Sequence, residues 1–163
     1  MRLKERLHYT AEAQWDKGTG GKVTANGFKV SFDTPEDYGG SERHPCPDQL
    51  FLASITGCLM NTFLYYRSHL GAETEDIKIS AEAEIQLLNP HGYRIKGIDA
   101  HIQVWSTEVE ADLNRTCAER ARNYCHLTKS IEEAIPIKVS ITVHDDYAPP
   151  PHTGCTSNIS ENQ

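Results

Sequence analysis

The sequence predicts an α+β fold, with strands and helices grouped rather than alternating singly. Three observations carry this. Period-two alternation of apolar and polar residues recurs at 28–32, 77–87 and 137–143, the spacing of half-buried strands. A long, mostly apolar helical segment at 47–70 separates the first strands from the rest. A second helical stretch at 108–124 precedes the last strand. The expected order is β-β-β-α-β-β-α-α-β, as antiparallel groups of strands around the long helix.

The first strands are 8–15, 22–25 and 28–32, with 16–21 as a turn or loop. Asn26-Gly27 sits between the last two, the strongest short hairpin signal. Phe28, Val30 and Phe32 alternate with Lys29 and Ser31, so one face is expected to be buried. Residues 34–47 form a loop rich in Pro, Gly and charge, and a loop of that length is often functional. Pro47 and Asp48 open the long helix. Proline suits a first helical position, and a carboxylate complements the positive helix end. Gly71 stops it. The helix is apolar nearly all round, so it is expected in the core, where a second subunit would complete its cover. Strands 77–87 and 93–105 flank the turn Asn89-Pro90-His91-Gly92. Helices 108–124 and 128–134 and strand 137–143 complete a single domain over 1–145. The polar remainder, 146–163, is expected to be a loosely ordered tail.

The chain has 163 residues and a net charge of −7, from 23 acidic and 16 basic residues. That balance opposes attraction to phosphate backbones and anionic membranes, so no nucleic-acid partner is expected. Segment 50–66 is too polar and too short to span a bilayer. The charged start, Met1 to Leu7, has no apolar run behind it and reads as no secretion signal. Cytoplasmic location and no membrane contact follow as expectations.

The five cysteines are Cys46, Cys58, Cys117, Cys125 and Cys155, an odd set that makes a poor disulfide framework. The ordinary role of each is a small buried hydrophobe. Cys58 lies mid-helix, where the dipole gives little and burial raises a thiol pKa. To act as a nucleophile it needs a cation or hydrogen-bond donor from elsewhere in the chain. Cys125 sits at a helix break, near free backbone N–H groups that favour a thiolate. Cys117 reads as packed on a helix face. His44, Cys46, Cys58, Cys125 and His126 are soft ligand types, but their spacing matches no zinc pattern. His91 and His101 read as surface residues, and His152 and Cys155 as part of the tail.

Pro47-Asp48-Gln49-Leu50-Phe51-Leu52-Ala53-Ser54-Ile55-Thr56-Gly57-Cys58 closely resembles the first-cysteine helix of the OsmC/Ohr family, the osmotically inducible and organic hydroperoxide resistance proteins. Cys125 looks like the family's second cysteine. Phe28 to Pro35 and Gly39-Gly40 look like its strand and Gly-rich loop, so the resemblance covers about 8–144. It implies intertwined homodimers with curved antiparallel sheets wrapping the central helices. It also implies a cysteine peroxidase without cofactor: Cys58 would attack an organic hydroperoxide, Cys125 would close a disulfide on it, and a dithiol reductant, in Ohr-type members a lipoylated protein, would reopen it.

Two positions depart from the family pattern. Its Glu is Asp48 here. Its activating Arg has no Arg counterpart, and Lys17 or Lys22 comes nearest by position. Arg43, close to Asp48 across Pro47, is a further candidate for activating Cys58. Phe51, Met60 and Phe63, with Leu59, are candidates for an apolar substrate entrance or for plain core packing. A different reading of the same fold is a non-catalytic metal- or ligand-binding sensor built on His44, Cys46, Cys58 and Cys125.

Overall fold

The computed structural model describes residues 5–146. The tail expected at 146–163, Asp146 apart, lies outside them, and with it His152 and Cys155. The described chain divides into two compact units, and the boundary falls inside the long helix, between Ile55 and Thr56.

The first unit carries a three-stranded antiparallel sheet of β1 (Ala11–Trp15), β2 (Gly20–Ala25) and β3 (Phe28–Asp33), in that order. Asn26 and Gly27 turn the β2–β3 hairpin with φ of 47° and 87°, positive at both central positions as this turn demands. Strand β2 begins earlier than the sequence suggests. Gly20 and Gly21 pair with Asp33 and Phe32 rather than forming loop. A Cβ at Gly20 would overlap the Phe32 carbonyl, so the glycine that looks like a turn signal is there for close strand approach.

The expected burial of the β3 face is corrected. Phe28 is 78% and Val30 45% exposed, and only Asp33 of the strand is fully buried. Val30 and Phe32 instead join Ala13, Val23, Pro47, Leu50, Phe51 and Ala53 around an open apolar cleft of about 680 Å³. The loop that follows is ordered by a 3-10 turn at Glu36–Tyr38, ended by Gly39 at φ 78°.

Helix α1 runs Pro47–Leu70. The Cys46 N–H donates to Gln49 Oε1 at 2.9 Å, the reach-back half of a capping box. Gly71 ends the helix at φ 70°. A single subunit does not cover α1 all round. Ile55, Leu59 and Phe63, at i, i+4 and i+8, are fully buried beside Cys58, whereas Leu64 and Tyr65 are 42% and 40% exposed. One subunit covers one stripe, although the sequence is apolar beyond it.

The second unit holds β4 (Asp76–Leu88), β5 (Gly92–Trp105) and β6 (Ile137–His144) as one sheet in that order. β4 and β5 are antiparallel with a bulge at Glu84/Ile85. The extra residue is Lys96 of β5, so the inward phase there shifts from Ile98 to Ile95. On β4, Ile77, Ile79, Ala81 and Ala83 are half-buried, while Ile85 and Leu87, opposite the part of β5 that β6 does not reach, are exposed. The antiparallel expectation fails for β6, which runs parallel to β5. A parallel neighbour requires a crossover of a dozen or more residues, and α2 (Ala111–Tyr124) with α3 (His126–Ile131) provides it.

The first turn of the expected 108–124 helix is a separate 3-10 turn, and α3 starts two residues before the sequence suggests. Asn114, fully buried on α2, donates to the Glu73 and Glu110 carbonyls and accepts from Thr74, tying the helix to the approach to β4. Cys117, Ala118 and Ala121 bury the same side of α2. No described helix is long and apolar enough to cross a membrane.

Candidate functional site: two thiols and an imidazole

Each unit contains one cluster of chemically capable side chains. In the first, the fully buried Asp33 carboxylate accepts four hydrogen bonds. Thr19 Oγ1 and the Thr34 N–H donate to Oδ1 at 2.6 and 2.9 Å. The Arg43 N–H and Nε donate to Oδ2 at 3.0 and 2.7 Å. Arg43 Nη2 reaches Asp16 Oδ2 at 2.7 Å. The Arg43 guanidinium, then the Thr19 hydroxyl, hold Asp33 well below the usual carboxylate range. Asp16 is lowered by the Gly18 N–H and then by Arg43, and Arg43 is itself raised by its two carboxylates.

Arg43 is therefore engaged with Asp33 and Asp16. Asp48 is exposed in the first turn of α1. Lys17 is exposed, and its Nζ lies 4.8 Å from the centre of the Trp15 ring, a cation–π contact. Lys22 is an exposed residue of β2.

The second cluster forms around Cys58, which is 8% exposed. The thiol sits against the side chain of Cys125 and the N–H of Leu127. Burial pushes its pKa up, the Leu127 N–H opposes this by favouring the thiolate, and the neighbouring Cys125 thiol adds to the rise. Thr62, one turn on, donates its hydroxyl to the Cys58 carbonyl at 2.8 Å. His126 Nδ1 stands 3.4 Å and Nε2 3.9 Å from Cys58 Sγ. Cys58 thus has the backbone donor that its mid-helix position demanded, brought by the α2–α3 junction.

That junction follows from local sequence. Cys125 ends α2 in an extended conformation, its N–H bonded to the Ala121 carbonyl. Its own carbonyl accepts the Lys129 N–H and the Thr128 hydroxyl, which starts α3. The break turns the chain so that Cys125, His126 and Leu127 all meet one sulfur. The N–H groups expected to serve Cys125 are used differently, since that of Leu127 points at Cys58. Sequence reasoning named His126 only among soft metal ligands. Its signal was its place directly after Cys125, at the first position of a new helix.

The other candidates are dispersed. Phe51 lines the apolar cleft of the first unit, Met60 is half-buried, and Phe63 is fully buried. His44 is exposed and Cys46 half-buried in the first unit, while Cys58 and Cys125 belong to the second. Among the described residues, no group of three or more His, Cys, Asp or Glu side chains is arranged to hold a metal.

A family model described as OsmC-like protein matches residues 39–140. The chain is 27% identical over 130 residues, 78% of its length and 90% of the relative's, to Organic hydroperoxide resistance protein-like 2 of Staphylococcus saprophyticus subsp. saprophyticus. Among solved structures, it is similar to an organic hydroperoxide resistance protein OsmC from Legionella pneumophila, with TM-score 0.69 and 20% identity over 86% of this chain and all of that one. It is also similar to an organic hydroperoxide resistance protein from Elizabethkingia anophelis, with TM-score 0.70 and 16% identity over 87% of this chain and all of that one. These likenesses establish a common α+β fold.

Proposed function

The chain belongs to the OsmC-like protein family, and from that premise we propose that it is a thiol-dependent hydroperoxide reductase acting on organic hydroperoxides. The single observation that carries the reading is the contact of the Cys58 thiol with the Cys125 thiol. Two cysteines far apart in sequence, side by side in the fold, are what a disulfide-forming peroxidase needs.

The Cys58 thiolate attacks the distal peroxide oxygen. The O–O bond breaks, the alkoxide leaves and takes up a proton as the alcohol, and Cys58 becomes a sulfenic acid. The Cys125 thiol then displaces water from that sulfur and closes a disulfide. A dithiol, of the kind a lipoylated protein carries, reopens it by exchange. The half-buried Met60 on the cysteine helix is an apolar group of the kind that favours an organic over an aqueous peroxide.

The protein works as a cytoplasmic homodimer in this reading. The open apolar cleft of the first unit and the exposed Leu64 and Tyr65 are surfaces that dimerisation would cover.

Treating the reduced protein with one equivalent of cumene hydroperoxide and mapping its peptides by mass spectrometry tests the reading. A Cys58–Cys125 disulfide in the wild type, and a dimedone-trapped sulfenic acid on Cys58 in Cys125→Ser, are expected. Unmodified Cys58 in both proteins would remove it.

A further inference from the structure

Cys58 has a chemical problem that its cysteine neighbour does not solve. Burial favours the thiol, whereas the thiolate is the nucleophile. Among the described residues no lysine or arginine side chain is hydrogen-bonded or ion-paired to its sulfur. The imidazole of His126 is there, 3.4 Å from Sγ through Nδ1. Its own ring is exposed, while the sulfur is nearly covered. A proton passed from the covered thiol to this exposed histidine can be held and exchanged with solvent.

The titratable side chains set against Cys58 are Cys125 at the junction and His126 on α3. From α1, Thr62 offers a neutral hydroxyl. Among the described residues no carboxylate is ion-paired with the His126 ring, so its proton is not already committed to another acceptor.

We propose that His126 is a catalytic residue of this site, the base that takes the Cys58 proton and the acid that returns it to the departing alkoxide. Neutral His126 accepts the S–H proton at Nδ1 and leaves a thiolate–imidazolium pair. The thiolate bonds to the distal oxygen, the O–O electron pair departs on the alkoxide, and the imidazolium proton completes the alcohol. The sum is thiol plus hydroperoxide to sulfenic acid plus alcohol, with His126 neutral again. The Leu127 N–H, already against the sulfur, supports the thiolate while the proton is away. The alkoxide step rests on the peroxidase reading, but the proton transfer between Cys58 and His126 does not.

The test separates the two. Alkylation of Cys58 by iodoacetamide is followed by peptide mass spectrometry from pH 5 to about pH 9, in wild type, His126→Gln and His126→Ala, with thermal melts to verify folding. General acid–base groups contribute about 10²–10⁴-fold, and a surface-open pair belongs near the lower end. The expected result is Cys58 alkylation at pH 7 slowed by at least about tenfold in both variants, with its rise moved to higher pH. Added imidazole should restore the rate in His126→Ala, which a merely structural role would not allow. Turnover with cumene hydroperoxide should fall in parallel. Alkylation with wild-type rate and pH profile in both folded variants overturns the proposal, whatever the turnover. Alkylation that depends on His126, in a protein that never forms a Cys58 sulfenic acid, keeps the proton pair and removes the peroxidase reading instead.

Discussion

Asp33 and Cys58 are both buried, and the groups around them differ in what they leave undone. Four hydrogen bonds and a guanidinium surround the Asp33 carboxylate, and each donor is fixed by a neighbouring strand or loop. Both oxygens of the Asp33 carboxylate are occupied, and the Arg43 guanidinium is held between two carboxylates. Around Cys58, one backbone donor faces a sulfur that burial keeps protonated, beside a second thiol and an imidazole that can each change state. A fully satisfied charge rigidifies, while an incompletely satisfied thiol beside a second thiol and an imidazole can react. Reactivity follows from the neighbours rather than from burial, and the neighbours of Arg43 in its own unit are two carboxylates.

The largest effect comes from the reactive cluster. Cys58→Ser should lower hydroperoxide turnover on the order of 10³-fold or more, since it removes the nucleophile itself. Thermal melting should stay close to wild type, because a hydroxyl of similar size keeps the Leu127 N–H as a partner. An equal loss of turnover on breaking the Asp33 cluster, with melting unchanged, would erase the contrast. Phe63→Ala probes the packing of the helix that carries Cys58. It empties a fully buried position on α1, and should cost about 3–5 kcal/mol in chemical denaturation. Turnover per folded molecule should survive it better than it survives Cys58→Ser.

Acid sharpens the contrast from the other side. Asp33 is depressed in the folded state, first by Arg43, so its contribution is full above the unfolded pKa of about 3.9 and is lost as pH falls below that value. Asp33→Asn should lower the melting temperature at pH 7. It should also flatten the decline between about pH 5 and pH 2, because the variant has no such carboxylate to protonate. At pH 7, Cys58 alkylation in the folded variant should match wild type. A melting curve with an unchanged acid limb would mean that another carboxylate governs acid stability.

The fold was largely legible because periodicity is local. The Asn26-Gly27 hairpin, the stop at Gly71 and the alternation at 77–87 each come from adjacent residues. The direction of β6 was not legible, since its strand pattern is the same in either orientation and only the α2–α3 crossover decides it. The covered stripe of α1 was hidden for a related reason: the exposed Leu64 is the same residue type as the buried Leu59, and the exposed Tyr65 differs from the buried Phe63 by one hydroxyl. At the site, Cys58 and Cys125 were found through a family resemblance. His126 was undervalued because its closeness to Cys58 depends on the turn at Cys125, a tertiary fact. The pairing of Arg43 with Asp33 and Asp16 was not legible, because both carboxylates lie earlier in the chain and reach it only on folding.

Lys17 offers the smallest and most discriminating change. It shares the β1–β2 loop with Asp16 and adopts a left-handed φ of 73°, which costs a non-glycine residue roughly 1–2 kcal/mol. Its contact with Trp15 returns about 0.5–1 kcal/mol. Lys17→Ala keeps the backbone cost and loses the contact, so chemical denaturation should show a loss of no more than about 1 kcal/mol. Lys17→Gly loses the contact but relieves the backbone, and should be at least as stable as Lys17→Ala. Neither should move the pH profile of Cys58 alkylation, because Lys17 lies over an indole and Cys58 has His126 beside it. A shift of that profile to higher pH in Lys17→Ala, with His126 intact, would make Lys17 the cation that supports the thiolate and would join the two clusters that are here held to act separately.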